Sequence, residues 1–389
     1  MEQGTAATAT ESRPAGNCYG RTEWAGAFGD LGTLIPFVLA YTTLLHMDPA
    51  GMLVGFGLAL IANGFIYRTP VPVQPMKAIG TAATTQALYG YPVTAGTVYA
   101  AGVVTGLVWI LLSVTGLAHR LARITPKSVV GGLVLGLGVK FMLDGLGLMA
   151  SNGWLAAAAL VLAVVLQRNR HFPAMFALLL LGIGAALVTR PDLGPWLATL
   201  RPALHLPSWH LGDVTATEWL AGAVLLALPQ LPLTLGNAVI AITAEHNHLF
   251  PEQPVSERRI ALSTGVMNLL APAVGGVPMC HGAGGLAGHV RFGARTGGSL
   301  VILGALLLIL ALFFGSALTP LLQVIPQAIL GVILMLAGLG LAHAVVPRAF
   351  NNPGQATLLL TALLTFWHVG AAFLAGLLIH AIERRLTSR

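Results

Sequence analysis

The sequence predicts an all-α polytopic membrane protein of about fourteen transmembrane segments, arranged as a 7+7 inverted repeat with two broken strand/half-helix segments near 72–88 and 278–290. Three observations predict it. First, 8% of the 389 residues are charged and 56% are hydrophobic, with 47 glycines besides. A soluble domain carries about 25% charge. Second, drawing the spans with the N-terminus inside puts nearly all the Lys and Arg on one side. Third, proline- and glycine-rich interruptions recur at corresponding points of two halves. So much apolar surface cannot be hidden in one soluble core, which excludes a soluble enzyme, a disordered chain and a nucleic-acid binder. The net charge of +7 and isoelectric point near 9.9 then reflect basic residues flanking membrane helices.

Taken in order, residues 1–20 are polar, lack a signal-peptide core and read as a disordered cytoplasmic tail. Apolar spans follow near 24–45, 50–67, 94–117, 129–142, 154–166 and 172–189, completing a first repeat over 21–189 with the broken segment at 72–88. A polar extracellular or periplasmic loop covers 190–216. The second repeat, 217–383, has spans near 217–243, 260–274, 299–318, 326–345, 356–367 and 369–382, and the broken segment at 278–290. Residues 384–389 form a short cytoplasmic tail. With both termini inside, 16 of the 20 basic residues are cytoplasmic, only Arg190 and Arg201 are external, and Lys77 and Lys140 lie at membrane depth. That bias is what the positive-inside rule requires. Seven spans is an odd number, so the second half enters from the opposite side, a common build of secondary transporters. Leu31-Gly32-Thr33 lines up with Leu235-Gly236-Asn237, and Val71-Pro72-Val73 with Val277-Pro278-Met279, at offsets of 204 and 206. Cys18 in the tail and Cys280 in an apolar stretch give no disulfide framework.

The broken segments carry the chemistry. Pro70, Pro72 and Pro75 fall within six residues, and no helix runs through such a stretch, because proline lacks an N–H and biases its predecessor to extended geometry. The expectation is a strand to about Gln74 and a helix starting with Pro75. In the second half, 275–286 reads as extended chain turning into a short helix near 279–281. Unwound backbone at membrane depth is tolerated only inside protein or lining a wet cavity. Two inverted half-helices would point their N-termini at one another, each contributing about half a positive charge and free N–H donors. Lys77, in the first turn of one, adds a full charge. The combination suits an anion; the competing reading is a proline kink beside a glycine packing face.

Residues 23–40 (EWAGAFGDLGTLIPFVLA), 72–80 (PVQPMKAIG), 228–242 (LPQLPLTLGNAVIAI), 249–251 (LFP) and 267–297 (MNLLAPAVGGVPMCHGAGGLAGHVRFGARTG) resemble the molybdate transporter family, within the sulfate-permease-like group of anion transporters. The resemblance runs in order along nearly the whole chain. It implies seven plus seven inverted spans divided into core and gate domains, each drawn from both repeats, and molybdate transport without a cofactor. Sulfate permeases usually carry a soluble C-terminal regulatory domain, and this chain stops seven residues after its last span, which favours the molybdate branch.

The expected substrate-binding residues are Thr33, Gln74, Met76, Lys77, Asn237, Cys280, His281, Gly282 and Ala283. An uncompensated intramembrane lysine costs roughly 2.5–3.5 kcal/mol, so Lys77 is the sharpest of them, with a structural pair to Asp30 or Asp144 as its alternative. Gln74 can donate to an oxyanion or cap the strand. Cys280 and His281 are expected to face the same cavity, His281 as a neutral donor or a buried structural ring; four tetrahedral ligands for zinc are lacking, so no metal is expected. Gly282, Ala283, Gly284 and Gly285 permit close backbone approach. Gln230 and Asn237 of the eighth span, and Thr33 opposite, could coordinate substrate directly. The run Glu245-His246-Asn247-His248 reads as a solvated helix end.

Carrying a dianion into a cell 100 mV negative inside costs about 4.6 kcal/mol, so a proton is the expected coupling ion, with Asp30 and His281 as its carriers. The expected localisation is multi-pass in the cell membrane. Membrane lipids and a second copy of the chain complete the expected partners. Among rivals, an intramembrane aspartyl protease fails because Pro202-Ala203-Leu204 lies in the external loop and Asp144 lacks a preceding tyrosine. A nucleobase permease of the same fold would place a glutamate mid-way along the eighth span, where Asn237 stands. A transporter of sulfate or another tetrahedral oxyanion is the nearest alternative, and a channel is disfavoured by the occluding broken-helix site.

Overall fold

The structure is a computed structural model that describes residues 16–88, 93–166, 174–323, 325–349, 354–367 and 369–387. The expectations placed on residues 1–15, on Arg168 and Arg170, and on Arg389 lie outside the described residues. The chain is mostly helical, 79%, with few strands. Among the described residues, five helices are long and apolar enough to cross a bilayer unaided: Pro49–Tyr67, Ala95–Val114, Lys127–Met149, Ala216–Leu249 and Gly298–Leu318. Two bent pairs raise the number to seven, Arg21–Asp30 with Thr33–Leu44 at 45° and Ala177–Thr189 with Leu193–Thr199 at 112°. Of the other expected segments, Gly153–Leu166 and Gln355–Thr365 are short, while Gln327–Ala349 and Val369–Thr387 run to 23 and 19 residues.

Glycine decides which helices meet. A Cβ on Gly57 would come within 2.9 Å of the Gly304 carbonyl, and one on Gly64 within 2.6 Å of the Gly297 carbonyl, so Pro49–Tyr67 and Gly298–Gln323 cross backbone to backbone. Gly106 and Gly265 join Ala95–Val114 to Glu257–Leu270 in the same way. Gly145 and Gly331 join Lys127–Met149 to Gln327–Ala349. Small residues permit this close approach where lipid offers no hydrophobic drive. One buried cluster gathers residues from the first span, Pro49–Tyr67, both broken segments and Gly298–Gln323. Another packs Ala156, Ala159, Leu178, Ile329 and Val332. Between them, Leu133, Val134 and Leu137 meet Ala78, Leu233 and Ala372.

Two sequence expectations change here. The N-terminal segment is tied down from residue 17: Asn17 Nδ2 donates to the Gly64 carbonyl at 3.0 Å, and the Cys18 N–H donates to Thr296 Oγ1 at 3.0 Å. Packing against the helix ends therefore reaches into the stretch read as disordered. The 190–216 stretch is no free loop either. It holds the helix Leu193–Thr199, and the N–H groups of Ala203 and His205 donate to the carbonyls of Phe313 and Leu312. Those acceptors are free because the neighbouring Phe314 (φ −128°, ψ 18°) breaks its helix.

Candidate functional site

The two broken segments meet as a two-stranded antiparallel ladder, β1 (Gln74–Pro75) with β2 (Met279–Cys280), in the register Gln74 to Cys280 and Pro75 to Met279. The first half-helix is Lys77–Leu88 and the second Ala283–Arg291. Both start later than the sequence suggested, at Lys77 rather than Pro75 and at Ala283 rather than 279–281. The reason is a long-range contact: the Met76 N–H donates to the Pro278 carbonyl at 2.8 Å, which keeps the chain extended through residue 76. Asn268, fully buried, acts as a third strand. Its Oδ1 accepts the Met279 N–H at 2.8 Å and its Nδ2 donates to the Met279 carbonyl at 2.6 Å. Backbone that would be costly in lipid is thereby satisfied.

A buried relay of three side chains crosses this ladder. Gln74 Nε2 donates to Asp30 Oδ1 at 2.5 Å and to Thr33 Oγ1 at 3.2 Å, and Lys77 Nζ donates to Gln74 Oε1 at 3.0 Å. Asp30 is delivered by the bend in the first span, where a 3-10 turn covers Phe28–Asp30. Asp30 and Lys77 make no direct ion pair among the described residues; the carboxamide stands between them, its donor on the anion and its acceptor on the cation. The second half-helix lies against the relay through glycine. A Cβ on Gly282 would overlap Gln74 Oε1 and lie 3.3 Å from Lys77 Nζ, and one on Gly285 would lie 2.7 Å from Asp30 Oδ2. Lys77 therefore sets its ammonium at the start of the opposite half-helix.

The two half-helix termini differ. On the first, Gln230 Oε1 accepts the N–H groups of Ala78 and Ile79 at 2.8 and 3.2 Å. On the second, the N-cap is Gly282 and no side chain caps it, so the N–H groups of Ala283 and Gly284 have no acceptor among the described residues. A Cβ on Gly284 would meet nothing within 4 Å. Ala283 is half-buried and Gly284 exposed, so this terminus opens into space. Asn237, half-buried, stands on a π-helical stretch, Thr234–Ala241, that passes the second half-helix. Such π turns are frequent at functional sites.

Several expected site residues are used otherwise. Both ring nitrogens of His281 are occupied: Nδ1 donates to the Pro72 carbonyl at 2.8 Å, so in the neutral ring Nε2 accepts from Ser263 Oγ at 2.7 Å. The ring is fully buried and braces the strand to Glu257–Leu270 instead of facing a cavity. Met76 is fully buried among apolar side chains, because the extended backbone turns it into the core. Cys280 is buried and shares Gln74's face of the ladder. Gln230 spends both amide ends inside the protein, its Nε2 donating to Thr234 Oγ1 at 2.8 Å. The Glu245–His248 run is a helix end only partly solvated: His248 is exposed, but His246 is fully buried with its Nε2 2.8 Å from Thr69 Oγ1, and Asn247 clamps the Val255 backbone. Sequence reasoning passed over Asn268 and Glu23. Glu23, 2% exposed, accepts the N–H groups of Arg295, Thr296 and Ser299. For Asn268 the available signal was a lone carboxamide inside an apolar stretch; Glu23 stands beside Arg21 and Thr22, outside the apolar span, and offered none.

Paired half-helices with a buried lysine, held in a helical membrane scaffold, define a membrane transporter whose site suits an anion. The fold agrees. The transmembrane domain of a cyanobacterium bicarbonate transporter, BicA, aligns with a TM-score of 0.64 and 14% identity, covering 93% of this chain and 96% of that one. Murine solute carrier 26 family member A9, an anion transporter in its inward-facing state, aligns at 0.70 with 12% identity over 95% of this chain and 69% of that one. The sequence matches a family described as "Molybdate transporter of MFS superfamily" over residues 22–141 and 222–341. Molybdate transporter 2 of Arabidopsis thaliana is 32% identical, over 83% of this chain and 78% of its own. Molybdate transporter 1 of the same plant is 31% identical, over 92% and 87%. The chain belongs to the molybdate transporter family, a family of transporters and not enzymes.

Proposed function

We propose that the protein is a secondary active carrier that takes molybdate into the cell by alternating access. Lys77 carries the reading: its ammonium stands beside an uncapped half-helix terminus that opens into space. A tetrahedral dianion there meets one full charge, about half a charge from the helix terminus, and the free N–H groups of Ala283 and Gly284. Gln74 orients the lysine, Thr33 and Gly282 complete the cradle, and Asn237 reaches the site from the eighth span. The two family matches start 200 residues apart (222 − 22) and end 200 apart (341 − 141), which supports a repeat over 21–189 and 217–383 with core and gate domains drawn from both. The arrangement sits in the cell membrane with cytoplasmic termini, its exposed leucines and valines, such as Leu111, Val165 and Leu363, facing lipid. Asp30, at the far end of the relay, is the proton carrier; His281 is too fully engaged for that role. Sulfate is the nearest alternative substrate, since the same donors fit any tetrahedral dianion.

The test is uptake into proteoliposomes. Molybdate should accumulate, driven by an inward proton gradient, with sulfate competing weakly. Uptake of uracil and of no oxyanion would sink the reading, and uptake indifferent to the proton gradient at constant voltage would remove Asp30's role.

A further inference from the structure

The first half-helix is capped from a distance. Its N-cap position is Met76, whose thioether is no adequate acceptor, so the N–H groups of Ala78 and Ile79 would be orphaned. Gln230 supplies the acceptor from the eighth span, at 2.8 and 3.2 Å. Its own amide orientation is fixed by donation from Nε2 to Thr234 Oγ1 at 2.8 Å, and the residue is 1% exposed. Two prolines, Pro229 and Pro232, and flanking π-helical stretches interrupt the span around it. Among the described residues nothing equivalent reaches the second half-helix, whose N-cap is a glycine.

We propose that Gln230 is a resident ligand of the first half-helix, a specificity-determining residue whose carbonyl oxygen occupies the donor pair an oxyanion oxygen would otherwise take. The substrate is thereby confined to Lys77 and the second half-helix. This inference rests on the oxyanion reading above. It makes the site's charge deliberately incomplete: one helix terminus is silenced, and one terminus and one ammonium face the dianion. Removing the resident oxygen returns two donors and the terminal field to the site. Replacing it with a carboxylate preserves both hydrogen bonds and adds a negative charge beside the anion.

The experiment is calorimetric titration of the purified full-length protein with sodium molybdate. Gln230→Ala should bind molybdate about tenfold more tightly, as expected for added donors to a charged group. Gln230→Glu should bind it at least roughly tenfold more weakly, through like-charge repulsion. Unchanged or weaker binding by folded Gln230→Ala overturns the proposal, the weaker result meaning that Gln230 touches substrate itself. Should Gln230→Ala fail to fold, Gln230→Glu decides: wild-type affinity in that variant overturns the proposal as well. Absence of saturable molybdate binding by the wild-type protein overturns the oxyanion reading and this inference together.

Discussion

Lys77 shows what one residue must satisfy here. Lys77 is 5% exposed and its ammonium donates to Gln74 Oε1, while Asp30 accepts from the other end of the same amide. Removing one charge from such a buried arrangement leaves the other uncompensated, at a cost of about 3–5 kcal/mol for a directly paired ion and less across an amide. Lys77→Ala therefore confounds folding with binding, and the double variant Lys77→Ala/Asp30→Asn separates them. The double variant should recover thermal stability in detergent yet still bind molybdate at least tenfold more weakly, since the largest positive charge is gone. Wild-type affinity in the double variant would mean that the lysine never faced substrate. At this scale the sequence was partly legible. Lys77, Gln74 and Asp30 stood out as polar residues in apolar stretches, but their order as a relay depends on a bend at Phe28–Asp30 that periodicity does not reveal. His281 was legible as buried and special. That both its nitrogens are spent on Pro72 and Ser263 follows only from which neighbours the fold supplies.

At the scale of elements, the broken segments are held open by side chains acting as backbone. Proline placement made their existence readable, but the ladder that pairs them was not read from the sequence. Their exact helix starts were not readable, because the Met76 to Pro278 hydrogen bond is a contact between residues some two hundred positions apart. Asn268 is the clearest case. It sits 205 residues after Asn63 (268 − 63), inside the range of the repeat offsets, and both are buried. Only Asn268 clamps the ladder, since the Asn63 side chain makes no hydrogen bond among the described residues. Asn268→Leu removes the partners of the Met279 N–H and carbonyl together. Each orphaned buried group costs about 1–3 kcal/mol, so the variant should lose roughly 2–6 kcal/mol, read as a large fall in thermal midpoint in detergent. A loss of less than about 1 kcal/mol would mean that the ladder holds itself.

Across the whole molecule, the helix crossings obey the symmetry of an inverted repeat. Pro49–Tyr67 crosses Gly298–Gln323, and Ala95–Val114 crosses Glu257–Leu270. With the repeat offset near 205, the second member of each pair is the counterpart of a member of the other pair, so one crossing is the image of the other. Lys127–Met149 crosses its own counterpart, Gln327–Ala349. These crossings are glycine-tight and resist sliding. The group around the Lys127–Met149 crossing meets the group formed by the other two crossings, the first span and the first half-helix differently, through apolar side chains: Leu133 and Leu137 against Ala78 and Leu233, and Phe141 against Phe37 with ring centroids 5.6 Å apart. Side-chain contacts of this kind can part and remake at modest cost, so the proposed alternating access is expected to have its moving surface there. A carrier that works by relative movement of the groups must break the Phe37–Phe141 contact in each cycle. Replacing both with cysteine, with Cys18 changed to serine and the buried Cys280 left in place, allows the pair to be bridged by mercuric ion. Bridged protein should bind molybdate with near wild-type affinity yet accumulate none in proteoliposomes, and each single-cysteine variant should transport with or without the metal. Transport by the bridged protein at the unbridged rate would show that the first span and Lys127–Met149 travel together, and would move the sliding surface to another pair of helices.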